Sequence, residues 1–190
     1  MPETRHILIA DGPPIGELIS RLEQAVERAG EAAEVAFGEA HTEEAEGVTT
    51  RVFADSAEGG HAVTLVEDPR AGRYVVVAGE RADAIAGVLA EALPAEGLEH
   101  VVERAGASGD PREVLRVALA HRDAPSPEAI GVVVTALRST DRERVRAGIA
   151  AAAMTDPARF AGDLHRLAAE GPDHGLRRMA EQALAEGGRG

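Results

Sequence analysis

No cysteine occurs in the 190 residues. That excludes disulfides, a thiolate metal site and a cysteine nucleophile. Lysine is missing too, so all 20 basic side chains are arginine. Together with the heavy use of alanine and glycine, this resembles the coding bias of a GC-rich bacterial genome. Aromatic residues make up 2% of the chain: Phe37, Phe53, Tyr74 and Phe160. The core must therefore be built from Ala, Val, Leu and Ile. Recognition of bases or sugars by stacked, exposed rings is disfavoured for the same reason. No apolar run approaches the roughly 18 residues of a membrane span. The start, MPETRHILIADG, holds a strand-sized apolar run and no longer hydrophobic region, so no signal peptide is expected. A cytoplasmic location fits, and a membrane is not an expected partner.

Positive charge is scarce in one half only. Residues 1–100 carry seven arginines against twenty acidic side chains, which accounts for the whole net charge of −13. Residues 101–190 carry thirteen of each. The acidic half repels phosphate backbones and anionic lipid, and it attracts basic surfaces. The shift in charge coincides with a shift in pattern. It divides the chain into an acidic α+β domain over 1–94 and an all-helical domain over 95–190, sizes that suit 190 residues.

The second half repeats itself at an offset of 31. Leu98, Ala129 and Phe160 share one column; Val102, Val133 and Leu164 share the next. Ala105, Ala136 and Leu167 follow, then Val114, Val145 and Leu176, then Ala118, Ile149 and Ala180. Steps of three and four keep such residues on one helix face, and the step of nine spans a turn. Asp or Ser in SGDP, STDRE and GPDHG stands where a helix N-cap belongs. Pro111, Pro127 and Pro157 stand where first-turn prolines are tolerated. The pattern predicts three helical hairpins, 97–106 with 111–121, 127–138 with 142–154, and 157–169 with 174–186. One hairpin cannot cover its own apolar face, whereas a stack of about three can. Ala147, Gly148 and Ala150 to Ala153 suit close approach of helix backbones.

The segment STDRERVRAGIAAAA, with its echo in Leu176-Arg177, Ala180 and Ala183, resembles the HEAT-type helical repeats, particularly short bacterial forms. The likeness covers about 90 residues. It implies a scaffold or binding surface, in which Arg146 and Arg177 pair with turn aspartates such as Asp141 and Asp173. The first hairpin departs from the pattern. Leu115 stands where Arg146 and Arg177 stand, and Arg116 comes one place later.

The first half reads β-α-β-β-β-β-α. Strands are expected over 5–10, 34–39, 49–55, 61–67 and 73–78, and helices over 15–29 and 81–93. Gly30 is the expected helix stop. HTEEAEG, 41–47, reads as a polar loop, and 56–60 as a turn. The β-branched runs around DPRAG form the clearest hairpin. A run of strands between two helices predicts a mostly antiparallel sheet with helices on one side.

Catalytic constellations are wanting. Asp11-Gly12-Pro13-Pro14-Ile15-Gly16 joins a strand to a helix, but it matches neither the dinucleotide nor the P-loop pattern, and its prolines remove donors. It reads as a structural turn. The seven histidines include no i,i+4 pair of the zinc-helix kind. Asp163 with His165, and His121 with Asp123, fall on different helix faces. Ser20, Ser56, Ser108, Ser126 and Ser139 read as helix, turn or cap residues, with no nucleophile elbow. No metal or cofactor is expected, and no nucleic-acid partner, since the array is neutral and its one aromatic, Phe160, belongs to the core.

Two functions stay open. One is a non-catalytic interaction module, an adaptor, antagonist or scaffold, whose loop acids Glu43, Glu44 and Glu46 meet a basic protein partner. The other is a small-molecule enzyme or carrier using Arg104, His100 and His121 near the domain boundary. The oligomeric state is left open.

Overall fold

The computed structural model describes residues 3–56, 60–122 and 126–187. Most of the turn expected over 56–60, and the acid of the His121–Asp123 pair, lie outside the described residues. The chain divides into two compact units, Met1–Gly97 and Leu98–Gly190.

The first unit is an antiparallel sheet with two helices on one face. Its elements are β1 (Thr4–Leu8), α1 (Ile15–Ala33), β2 (His41–Ala45), β3 (Val48–Ala54), β4 (Ala62–Asp68), β5 (Gly72–Ala78) and α2 (Ala82–Ala92). The strand order is β1-β5-β4-β3-β2. Alternation along the strands sends Ile7, Phe53, Val63, Leu65, Val75 and Val77 to the helix side. There they pack with Leu18, Leu22, Ala25, Val26 and Ala29 of α1 and with Ile85 and Leu89 of α2. Each fully buried Val, Leu or Ile contributes roughly 1.5–3 kcal/mol. Arg73 donates from Nη1 to the Pro13 carbonyl at 2.7 Å, which ties the turn before α1 to the sheet.

The element order matches the expectation, but one strand has moved. Segment 34–39 is not a strand. It meets β3 only where Phe37 bridges Asp55, with the Gly38 N–H donating to the Ala54 carbonyl at 2.9 Å. The predicted loop is strand β2 instead, in register with β3 from His41↔Val52 to Ala45↔Val48. A two-residue turn makes this possible. Glu46 and Gly47 both have positive φ, 53° and 78°, the geometry that matches the twist of a tight hairpin. Once β2 holds the outer edge of β3, segment 34–39 is left only the end of that strand.

Helix α1 also runs past its expected stop. Gly30 lies inside it, because a Cβ there would come within 2.6 Å of the Val35 carbonyl oxygen and 3.3 Å of the Phe37 ring. The helix ends instead at Glu34, a non-glycine residue held at φ 55°. The Val35 N–H then donates to the Gly30 carbonyl at 2.9 Å and the Glu34 N–H to the Glu31 carbonyl at 3.4 Å. These two reversed bonds close a Schellman ending. At the β4–β5 hairpin, Asp68 accepts from the Arg70 N–H and from its guanidinium. Partial burial pushes the Asp68 carboxyl up, but these bonds outweigh it and hold it below the ordinary carboxylate range.

The second unit is all helical. Its helices are α3 (Leu98–Ser108), α4 (Pro111–Ala120), α5 (Pro127–Leu137), α6 (Arg142–Met154), α7 (Ala161–Glu170) and α8 (His174–Gly187), with a 3-10 turn at Pro157–Phe160 leading into α7. Consecutive pairs form three hairpins. The second helices pack α4 on α6 and α6 on α8, while α3, α5 and α7 form the other layer. Asp110, Ser126, Asp141, Asp156 and Asp173 each cap a helix by accepting from a first-turn N–H. Ser108 and Ser139 brace the caps of α4 and α6 by accepting from the N–H of Asp110 and Asp141.

Three of the five repeat columns are buried in every hairpin, those of Ala105, Val114 and Ala118 with their counterparts. The first two columns are buried in the second and third hairpins only. Leu98 is 44% exposed, and Val101 takes the buried place at 0%. No hairpin precedes α3 in this unit, and the buried side of its first turn is the side of Val101 rather than of Leu98. Gly148 lets α6 approach α5 closely: a Cβ there would stand 2.9 Å from the Leu137 nitrogen.

Candidate functional site

A stripe of glutamates runs down the second half of α1. Glu23, Glu27, Glu31 and Glu34 recur at steps of four, four and three, which places them along one side of the helix. The chain reverses at Glu34 and returns as 35–40 past the end of β3. Between these walls lies an open groove of about 910 Å³. Its acids are Glu23, Glu27, Glu31, Glu34 and Glu39, and its apolar lining includes Val26, Val35, Phe37 and Phe53. A single cation, Arg51 of β3, reaches in.

The electrostatics are one-sided. Arg51 donates from Nη2 to Glu23 Oε1 at 2.6 Å, and its guanidinium carbon lies 5.9 Å from the Phe53 ring centre. Glu34 has only a distant partner, Arg81, at 4.0 Å. Among the described residues, Glu27, Glu31 and Glu39 pair with no cation. Exposed pairs of this kind contribute about 0–1 kcal/mol each, so the groove keeps most of its negative potential. Glu34 adds a backbone cost. A left-handed conformation costs an ordinary residue about 1 kcal/mol relative to glycine, yet an acid occupies the rim at that position.

The groove is made by the features that the sequence pattern misplaced. Gly30 permits the Val35 carbonyl and Phe37 ring to fold back against α1. Segment 34–39, freed from strand pairing, becomes the wall. The spacing of the stripe in LEQAVERAGEAAE was legible, and it is the signal that the sequence reading passed over.

The acids expected to meet a partner lie elsewhere. Glu43 and Glu44 are exposed on edge strand β2, where neighbouring side chains point to opposite faces, and Glu46 occupies the tight turn. They do not converge. His41 stands 3.5 Å from Glu43.

Arg104, His100 and His121 occupy the first hairpin of the second unit. Arg104 is engaged by Glu113 at 2.7 Å, and the same carboxylate lies 3.9 Å from Nε of Arg116, which is fully buried. This cross-helix cluster accounts for the displaced arginine of that hairpin: a buried charge needs a partner, and Glu113 is one. His100 is exposed. His121 is buried, with Nε2 lacking a hydrogen-bond partner beside a small space lined by Val117, Ala129, Val133 and Phe160.

Among the described residues, the pairing expected of Arg146 and Arg177 with turn aspartates is not formed; other arginines meet aspartates instead. Arg142, not Arg146, reaches Asp173 at 2.9 Å, because the first turn of α6 lies beside the cap of α8. Arg146 is exposed, and Arg177 donates to the Gly171 carbonyl at 2.8 Å within its own hairpin. Arg138 and Arg166 both approach Asp163.

All five serines have structural roles. Ser20 donates to the Gly16 carbonyl and Ser56 to the Ala36 carbonyl, while Ser108, Ser126 and Ser139 serve the caps. Among the described residues, no three His, Asp or Glu side chains are grouped so as to hold a metal ion, and no helix is long and apolar enough to cross a membrane. No protein-family model matches the chain, and neither a characterised protein nor a solved structure is significantly similar to it.

Proposed function

We propose that this chain is a non-catalytic interaction protein of the cytoplasm that holds a basic protein segment in the acidic groove of its first unit. The observation that carries this is the union of five glutamates and an apolar lining in one groove of about 910 Å³. An amphipathic segment rich in arginine or lysine matches both, with side-chain stems on Val26, Val35 and the two phenylalanines and with charges toward the acids. The second unit, in this view, is a HEAT-type scaffold. Its neutral charge leaves the selection of a basic partner to the first unit.

The test is calorimetric titration of the full chain with a short peptide of alternating leucine and arginine, at low and at physiological salt. Binding is expected at low salt and should weaken as salt screens it. The double variant Glu27→Gln/Glu31→Gln should lose about tenfold in affinity, equivalent to about 1.4 kcal/mol. Glu43→Gln/Glu44→Gln removes the same charge from β2 and should lose much less. Absence of binding at low salt, or equal losses in the two variants, would overturn the groove as the site.

A further inference from the structure

The groove already contains one guanidinium. Arg51 bonds Glu23 through Nη2 at 2.6 Å and lies 5.9 Å from the centre of the Phe53 ring. Its mooring is incomplete. Only one N–H of the fork meets Glu23, Nε is buried without a hydrogen-bond partner, and Glu23 is itself 47% exposed. The ring distance lies at the outer limit of about 6 Å at which a cation is drawn to an aromatic face. An unmade donor in a partly dry place is a standing cost. Arg51 also borders a small recess that includes Thr49 and Glu67, whose carboxylate is taken by Arg73 at 3.1 Å.

From this arrangement we infer that the groove is specific for arginine side chains, and that Arg51 is a resident occupant which an incoming arginine displaces. The inference rests on the reading that a basic segment docks there. Arg51 marks the chemistry of the place: a carboxylate on one side of a guanidinium and an aromatic ring near the other. A planar guanidinium satisfies both at once, by hydrogen bonds in its plane and by its face against the ring. The ammonium of lysine is a compact, strongly hydrated charge and gains less from the ring. Beyond Glu23, the unpaired acids Glu27 and Glu31 continue the stripe at one helical turn per step, a spacing of about 6 Å. Alternate residues of an extended peptide are about 6.6–6.8 Å apart, so successive arginines can follow the stripe.

The experiment compares two hexapeptides, alternating leucine with arginine and leucine with lysine, on the full chain. The wild type should prefer the arginine peptide. Arg51→Gln removes the resident and should tighten the arginine peptide about threefold to tenfold, the scale of one such contact, while changing the lysine peptide less. Arg28→Gln removes the same charge from α1 outside the groove lining and is the control for the general field. Glu23→Gln, at an exposed position that preserves the fold, should abolish the preference for arginine. If Arg51→Gln and Arg28→Gln strengthen both peptides equally, or if Glu23→Gln leaves the preference intact, Arg51 is only a structural side chain and the inference fails, while the groove still stands as a basic-segment site. If neither peptide binds wild type or Arg51→Gln at low salt, the groove reading itself fails.

Discussion

Asp163, in the first turn of α7, accepts two parallel hydrogen bonds of 2.9 and 3.0 Å from Arg138, the residue that closes α5. The pair joins the second hairpin to the third. Each charge also faces the helix end that favours it, the acid at an N-terminus and the arginine at a C-terminus. The hydrogen bond from Arg138 holds the Asp163 carboxyl below its ordinary range, against a desolvation effect that opposes it, with a smaller contribution from Arg166.

Asp163→Asn should therefore destabilise the chain by about 1 kcal/mol at neutral pH, a modest figure because Arg138 is largely exposed. The pH dependence has a definite sign. A carboxyl whose folded pKa is depressed contributes stability above its unfolded pKa, near 3.9, and loses it as pH falls through the lower folded value. Urea midpoints of wild type and variant should differ at pH 7 and converge under acid. A gap that stays constant down to pH 2 would remove Asp163 ionisation as its cause.

Gly148→Ala and Gly131→Ala should shift stability in opposite directions. At 148 the new Cβ meets the backbone of Leu137 and Ala136 at 2.9 and 3.1 Å. Overpacking of that kind costs about 1–3 kcal/mol, despite alanine's better helix propensity. At 131, on the exposed face of α5, a Cβ meets nothing within 4 Å. There alanine should gain about 0.5–1 kcal/mol. Denaturation midpoints of the two variants decide it, and a stabilised Gly148→Ala would disprove the close approach of α5 and α6.

Glu34→Gly should raise stability by about 1 kcal/mol, since glycine accepts the left-handed conformation without penalty. The same change removes a rim charge and should weaken the leucine–arginine peptide about twofold to threefold, as one exposed charge allows. Thermal melting and peptide titration on a single preparation read both effects. A variant less stable than wild type would mean that the Glu34 side chain supports the helix ending.

The second unit was the more legible half of the sequence, because helical hairpins are local. A step of 31 residues, first-turn prolines and capping aspartates all act within a few residues of where they stand, and they fixed the three hairpins nearly to the residue. Arg142 was missed as the partner of Asp173 because side-chain reach between hairpins depends on stacking geometry that spacing does not encode. The sheet was harder. Whether 34–39 or 41–45 pairs with β3 depends on which segment the Glu46-Gly47 turn delivers first, and the polar HTEEA concealed an edge strand that needs no apolar face. Gly30 looked like a stop because its actual reason, a carbonyl folded back from Val35, is a contact that only three dimensions reveal. The groove follows from that contact, so its location was hidden while its glutamate spacing was in plain view.

Helix α6 lies between α4 and α8 in one layer and is closely approached by α5 in the other. Either outer hairpin can fray without stripping it of all cover, whereas no opening exposes it before a neighbour has moved. Its amides, from Ala147 to Ala152, should accordingly be the last in the second unit to trade hydrogen for deuterium, with protection falling toward the outer hairpins.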